Sequence, residues 1–270
     1  MTEPGQAREP LRLGGMALRN GLLIHGPTSW SAAVRAKDGS IEVASGRKPA
    51  LGRGRLGQLP VLRGPLRLAE AFAVLPIVRR ALPSSRLPYE DRRVLLAAAA
   101  ATAAGAVVRR KGRSSFAREG VASLIGLLPA VAALRDNDLA AYHGVEHKAI
   151  GAYEHGSLDP TTAPKEHDRC GSNLLAPMML LSVAGQVIVQ RLVENPGPVP
   201  RAAAGIGGLS GAVEVFAYAD REPRSPLGRA VHSLGHEIQR LISTREPSAE
   251  QLEVGRAALD AILVAEGAAA

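Results

Sequence analysis

The spacing of apolar and polar positions changes several times along the chain, and each change predicts a different element. Residues 1–13, beginning MTEPGQAREP, are polar and aperiodic, so they read as an unstructured lead with no apolar core of a signal peptide. Residues 14–45 read as β structure. Ser31 to Ala36 and Ile41 to Ser45 flank Lys37-Asp38-Gly39-Ser40. Asp-Gly between two such runs predicts a hairpin, because a tight type I′ turn needs positive φ at both central positions. Residues 46–64 are rich in Gly, Pro and basic side chains and read as a linker. From Pro65, the apolar positions Leu66, Ala69, Phe72, Ala73 and Ile77 have helical spacing. Basic flanks predict that this helix lies on a membrane surface.

Four uncharged or nearly uncharged runs follow, at 94–108, 121–134, 174–190 and 202–219. A helix crosses a bilayer with about 20 apolar residues, and about 17 can suffice. The last two runs meet that length, and the first two fall short unless terminal arginines snorkel. Gly205, Gly207, Gly208, Ser210 and Gly211 supply the small side chains that helix contacts in lipid require. Beyond Arg221, Leu227, Val231, Leu234, Ile238 and Leu241 predict an amphipathic helix. Ser248 followed by Gln251 predicts a capping box that opens a last helix through Leu252, Leu259, Ile262 and Leu263. The expected fold is a mainly α membrane protein. It has a small N-terminal β hairpin region, about four hydrophobic helices and C-terminal amphipathic helices. The expected units are a lead at 1–13, a β region and linker at 14–64, a membrane-associated helical domain at 65–245 and a C-terminal helix at 246–270.

Composition sharpens this picture. Aromatic residues make up only 3%, which favours small-residue helix packing over a ring-filled core. Lys and Arg total 33 against 25 acids, a net charge of +8. The arginines cluster at the ends of apolar runs and no aromatic platform for bases accompanies them, so the expected partner is the lipid bilayer and not nucleic acid. One cysteine excludes an internal disulfide framework. Residues 194–200 carry no Lys or Arg, which predicts an outward-facing loop. The segments 136–173 and 220–270 then face the cytoplasm, in a multi-pass protein of the inner membrane. The basic residues of 109–120 conflict with four simple spans, so the short first pair is expected to re-enter or lie on the surface.

The chemistry concentrates at Tyr142-His143-Gly144-Val145-Glu146-His147-Lys148. On a helix His143, Glu146 and His147 share one face. Two imidazoles one turn apart reach one divalent ion, and the carboxylate serves as a further ligand or as a general base. His-x-x-Glu-His is also the inverted zincin pattern, in which a later Glu completes the site. Glu214, alone in an apolar run, is the candidate for that place. A second cluster, Glu166-His167-Asp168-Arg169-Cys170-Gly171, adds His167 and Cys170 as soft ligands, with Cys170 as an alternative nucleophile. His232 and His236 read as solvated surface histidines, and His25 and Trp30 as packing residues.

From about Gly14 to Leu263 the chain resembles the YqhQ-like family, a bacterial membrane family labelled domain of unknown function 1385. The resemblance rests on Gly14-Gly15-Met16-Ala17 through Gly21-Leu22-Leu23, on the His143 motif with Tyr153-Glu154-His155-Gly156 and Arg169-Cys170-Gly171-Ser172, and on Thr244-Arg245-Glu246-Pro247 with Glu253-Val254 and Ala257-Ala258-Leu259. It implies a metal-dependent membrane enzyme with His143, Glu146, His147, His167 and Cys170 as its polar motif. The chain departs from the family at Met16 and at Leu18-Arg19-Asn20-Gly21, so the opening motif is expected to have no catalytic duty. His232 and His236 stand where the family has apolar and aromatic residues.

The sequence thus predicts a membrane-embedded hydrolase dependent on a divalent metal, zinc. Glu146 is its base, and His143, His147, His167, Cys170 and Glu214 supply the ligands. The alternative is a membrane scaffold or assembly factor with a structural metal site.

Overall fold

A computed structural model of the chain describes residues 10–50, 59–110, 115–194 and 196–268. Most of the expected lead and the centre of the expected linker lie outside the described residues. Residues 10–13 do not continue a free lead: Leu13 is buried, and the Leu11 amide donates to the Tyr153 hydroxyl.

The N-terminal region is larger than one hairpin. Strands β1 (Gly14–Leu18), β2 (Gly21–His25), β3 (Ser29–Arg35) and β4 (Ile41–Arg47) form an antiparallel meander. The β3–β4 turn is the one expected, with Gly39 at φ +88°. Leu22 pairs with Ala33 and Leu23 with Ala32, so neighbouring positions point to opposite faces. Both faces are covered, which is why β2 (GLLIH) is apolar on both sides, while β3 keeps Ser29 and Ser31 buried on hydrogen bonds to main-chain carbonyls of the last helix. Leu22, Ile24 and Ala33 pack on the helices at 137–154 and 249–265, while Leu23, Trp30 and Val34 pack on Val74, Leu75 and Val78.

Ten α-helices are found among the described residues. α1 (Pro60–Ala73) and α2 (Leu75–Ala81) follow the sheet, then α3 (Arg92–Arg110), α4 (Phe116–Ile125) and α5 (Leu128–Leu134). α6 (Asn137–Glu154) crosses the core, and α7 (Leu175–Leu192) and α8 (Pro198–Arg221) pair as an apolar hairpin. α9 (Pro226–Ile238) runs into one π turn, Gln239–Ser243, and α10 (Ala249–Ala265) closes the chain. The capping box is formed, with Gln251 N bonded to Ser248 Oγ at 3.3 Å and Ser248 N to Gln251 Oε1 at 3.0 Å. α10 belongs to the same body as the sheet. Ser31 Oγ donates to Ala258 O at 2.6 Å, and the Glu266 carboxylate accepts from the amides of Thr28 and Ser29.

Three helical stretches are long and apolar enough to cross a membrane: Phe116–Leu134, Gly171–Leu192 and Pro198–Arg221. The expectation was about four. The run at 94–108 forms α3, but it is not among these stretches. It carries two arginines at each end: Arg92, Arg93, Arg109 and Arg110. The small residues of α8 divide by face. Gly208 meets the Ser182 backbone and Gly211 meets Leu181, whereas Gly205 and Gly207 face open space.

His25 gives the fold a measurable pH dependence. Burial lowers its pKa to about 4, Lys48 adds to that shift and Glu70 opposes it. An unfolded histidine titrates near 6.5, so below that pH the unfolded chain gains a proton that the fold refuses. The stabilisation is complete above pH 6.5 and disappears as pH falls toward 4, by as much as about 3 kcal/mol. His25→Phe should therefore lose less stability than the wild type between pH 7.5 and 4.5 in thermal unfolding. Identical pH profiles would contradict this assignment.

Candidate metal centre

α6 is buried along nearly its whole length because it runs between the sheet, α10 and the 160–174 loop. Asp136 caps it, its side chain accepting from the Asp138 amide at 3.1 Å. The helix presents His143, Glu146 and His147 on one face, as the spacing predicts.

Main-chain carbonyls set both imidazoles. His143 Nδ1 lies 2.8 Å from Ser243 O, and His147 Nδ1 lies 2.6 Å from Lys165 O. A carbonyl only accepts, so each Nδ1 carries the proton and each Nε2 keeps its lone pair. Metal-binding histidines are oriented in this way. His147 is 1% exposed, and its Nε2 is buried with no hydrogen-bond partner. Such an orphan is costly unless something fills the position.

Cys170 comes to the same point from the loop before α7. Its Sγ lies 3.4 Å from His143 Nε2. Ligand atoms of His143, His147 and Cys170 all lie within 4.8 Å of one another. With zinc bonds of about 2.05 Å to nitrogen and 2.3 Å to sulfur, a 3.4 Å separation subtends about 103° at the ion, close to tetrahedral. The three donors fit a divalent zinc-type ion.

Glu146 stands beside this set. It is 8% exposed, and its Oε2 is 4.0 Å from His143 Nε2. Burial raises its pKa, while His143 and His167 pull it down. Burial holds His147 neutral, well below the usual histidine range. Burial also pushes the Cys170 thiol up to about 11, with Glu146 adding to the shift and the Ser172 bonds opposing it. A thiol held protonated in this way is a poor nucleophile. As a ligand it would be deprotonated by the ion.

Two residues expected as ligands are engaged elsewhere. His167 Nε2 pairs with Glu154 Oε2 at 3.1 Å, and its Nδ1 accepts from the Arg169 amide at 3.2 Å, so both nitrogens are in use. Its ring stacks on His147 with centroids 5.7 Å apart. Glu214 is paired through both carboxylate oxygens with Arg63 of α1. The cost of placing a carboxylate in an apolar helix is met by that ion pair.

The structure adds residues that the sequence reading left out. Gln239, fully buried in the π turn, accepts from the His167 amide at 2.7 Å and donates to the His167 carbonyl at 3.1 Å. Ser243, at the end of the same turn, holds His143. π turns interrupt helices at functional sites more often than elsewhere. Gly15 of β1 forms a wall of the site, since a Cβ there would lie 2.7 Å from both Cδ and Oε1 of Glu146. Within the opening glycine motif, Gly15 thus lies against Glu146, whereas a Cβ at Gly14 would meet nothing within 4 Å.

Gly15, Met16, Leu134, His143, Glu146 and Cys170 line a cavity of about 450 Å³, with His147 behind its wall. Leu134 ends one apolar stretch and Cys170 directly precedes another, so the cavity opens at the edge of the apolar region. A larger cleft of about 1150 Å³ lies between the β3–β4 turn and the start of α10. Three of its four arginines, Arg19, Arg35 and Arg79, pair with Asp136, Glu253 and Glu90.

A family model described as "Protein of unknown function (DUF1385)" matches residues 120–265, more than half of the chain and the whole of this site apart from Gly15 and Met16. No curated protein and no solved structure matches the chain.

Proposed function

The chain belongs to the DUF1385 family, and we propose that it is a membrane-embedded, zinc-dependent hydrolase. One observation carries the reading. Three donors converge, including an unpartnered buried Nε2, on a point bordered by a cavity into which Glu146 faces. A catalytic zinc site keeps three protein ligands and an open position, whereas a structural site is closed by four. The sequence offered His167 and Glu214 as further ligands, and both are engaged with other groups.

A bound zinc supplies Lewis-acid activation of water and of a carbonyl or phosphoryl oxygen. His143, His147 and Cys170 hold it, and the Ser243 and Lys165 carbonyls fix the two rings. Glu146 takes a proton from the attacking water at a carboxylate oxygen and returns it to the leaving group. Burial raises the proton affinity of the Glu146 carboxylate and so favours the first of those transfers. Apolar walls at Met16, Leu134 and Ile150 exclude bulk water and suit a substrate with an apolar part.

The same reading places the site at the cytoplasmic face of the inner membrane. The sheet packs on α6 and α10, so all three lie on one side. The chain must then cross an even number of times between β4 and α6. An even number is also met with no full crossing, so α3 and the α4–α5 stretch are read as a re-entrant or surface-lying pair against the membrane, which fits the exposure of Leu95, Leu96 and Val107 on α3. α7 and α8 form the second pair, joined by an outward loop. A cysteine introduced at Gly197, in a chain with Cys170 replaced, should be labelled in intact cells. Labelling only after lysis would reverse the orientation.

The chemical test is Glu146→Gln in detergent-purified protein, assayed on chromogenic ester, amide and phosphodiester substrates. Zinc content should be unchanged and hydrolysis should fall by about 10²–10⁴-fold, the contribution of a general base. Unchanged turnover would remove Glu146 from the chemistry.

A further inference from the structure

Lys148 ends the motif that carries the two histidines, and nothing in the proposed chemistry uses it. It is 6% exposed, a depth at which a lysine needs partners for its ammonium group. Both of its partners belong to other segments. Nζ donates to the Ala163 carbonyl at 2.8 Å and lies 2.9 Å from Glu246 Oε1. Ala163 belongs to the 160–174 loop, whose Lys165 carbonyl holds His147 Nδ1. Glu246 belongs to the segment that leaves the π turn, where the Ser243 carbonyl holds His143 Nδ1. One ammonium group thus touches both of the segments whose carbonyls set the two rings.

The loop depends on this contact. Ala163 is 7% exposed, and among the described residues the Lys148 ammonium is the donor to its carbonyl. A buried carbonyl that loses its donor must move to water or stay unpaired. Such a movement carries Lys165 with it, and the 2.6 Å contact to His147 is disturbed. A second lysine links the same two segments from the loop side. Lys165 Nζ donates to Thr244 Oγ1 at 3.2 Å and to Arg240 O at 3.3 Å. Its carbonyl therefore orients one ring while its side chain grips the turn that orients the other.

We propose that Lys148 is a positioning residue of the His143–His147–Cys170 centre. Its ammonium group ties the 160–174 loop to the 243–246 segment and so fixes the Nδ1–H form of both rings. With the proton on Nδ1, both Nε2 atoms keep the lone pairs that an ion needs. The consequence for zinc rests on the reading of this centre as a metal site, whereas the consequence for the rings does not.

The test is ring-nitrogen NMR of detergent-purified, zinc-free, full-length protein with isotope-labelled histidine, since the ring shifts report which nitrogen carries the proton. In the wild type His143 and His147 should both be protonated at Nδ1. Lys148→Met, which keeps the apolar stem and removes the donors, should let both rings exchange between tautomers. Its zinc affinity, read by competition with a chromophoric chelator, should fall about 10–100-fold, the cost of losing a group that orients a ligand. Glu246→Ala changes a side chain that is 66% exposed and should disturb the His143 ring alone, because Lys148 still holds Ala163. Wild-type ring signals and zinc affinity in Lys148→Met, at any melting temperature, would make Lys148 a packing residue and overturn the proposal. If Lys148→Met does not fold, Glu246→Ala decides, and an unchanged His143 signal would overturn the bridge. Rings released by Lys148→Met in a protein that takes up no zinc would support the positioning role and overturn the metal reading instead.

Discussion

His147→Ala should strip the bound ion from the purified protein, lowering zinc affinity by more than about 100-fold. Loss of a residue that merely orients a ligand already costs about 10–100-fold, and here a ligand itself is removed. His147 is the most deeply buried of the three donors, and its Nε2 is the one without another partner. Only His143 and Cys170 would remain, from separate elements, with nothing to close the angle between them. Elemental analysis by mass spectrometry, on wild type and variant purified side by side, reads the effect. A variant that retains a full equivalent would mean that His147 is a packing residue. The thermal transition of the variant should be recorded as well, because the Nδ1 bond to the Lys165 carbonyl is lost with the ring.

Gly144→Ala should weaken the centre without touching any ligand. A Cβ at Gly144 would overlap the carbonyl oxygen of Arg245. That segment cannot easily give way, because the Arg245 amide donates to Ala140 O at 3.0 Å. Overpacking of this kind costs about 1–3 kcal/mol. The displaced backbone lies two residues after Ser243, whose carbonyl orients His143. The expected result is a melting temperature lower by several degrees together with reduced zinc affinity. Gly171→Ala is the matched control. It adjoins Cys170, but its Cβ meets nothing within 4 Å, so stability should stay within about 0.5 kcal/mol of wild type. Equal behaviour of the two variants would remove the steric explanation.

What was legible in the sequence was local. The Asp38-Gly39 turn, the Ser248–Gln251 capping box and the shared face of His143, Glu146 and His147 each follow from spacing of four residues or fewer. Cys170 was legible as a ligand through its residue type, and the structure brings it to the histidines across 27 positions. What could not be read depends on long-range pairing. Glu214 looked stranded because nothing in its own helix reveals Arg63, 151 residues earlier. His167 looked available because neither Glu154 nor the Arg169 amide announces that it will occupy the ring. The carbonyls of Ser243 and Lys165 that fix the two rings carry no residue-type signature at all. Gly15 was read as part of a motif without catalytic duty, and its closeness to Glu146 appears only when β1 is laid against α6. The four-stranded meander was read as a small hairpin region. Its inner strand β2 is buried on both faces, so the polar alternation that marks a half-exposed strand is missing there. The run at 94–108 was readable as a helix. That it is not among the stretches long and apolar enough to cross a membrane follows from the two arginines at each end of α3.

The central claim is that His143, His147 and Cys170 jointly bind one ion, and X-ray absorption at the zinc edge reads that ligand set directly. The measurement uses detergent-purified wild-type protein loaded with one equivalent of zinc. The predicted spectrum contains two imidazole nitrogens at about 2.0–2.1 Å and one sulfur at about 2.3 Å, with a remaining light scatterer in the open position. The sulfur shell should vanish in Cys170→Ser. A wild-type spectrum with no sulfur shell, or a protein that takes up no zinc at all, would contradict the account.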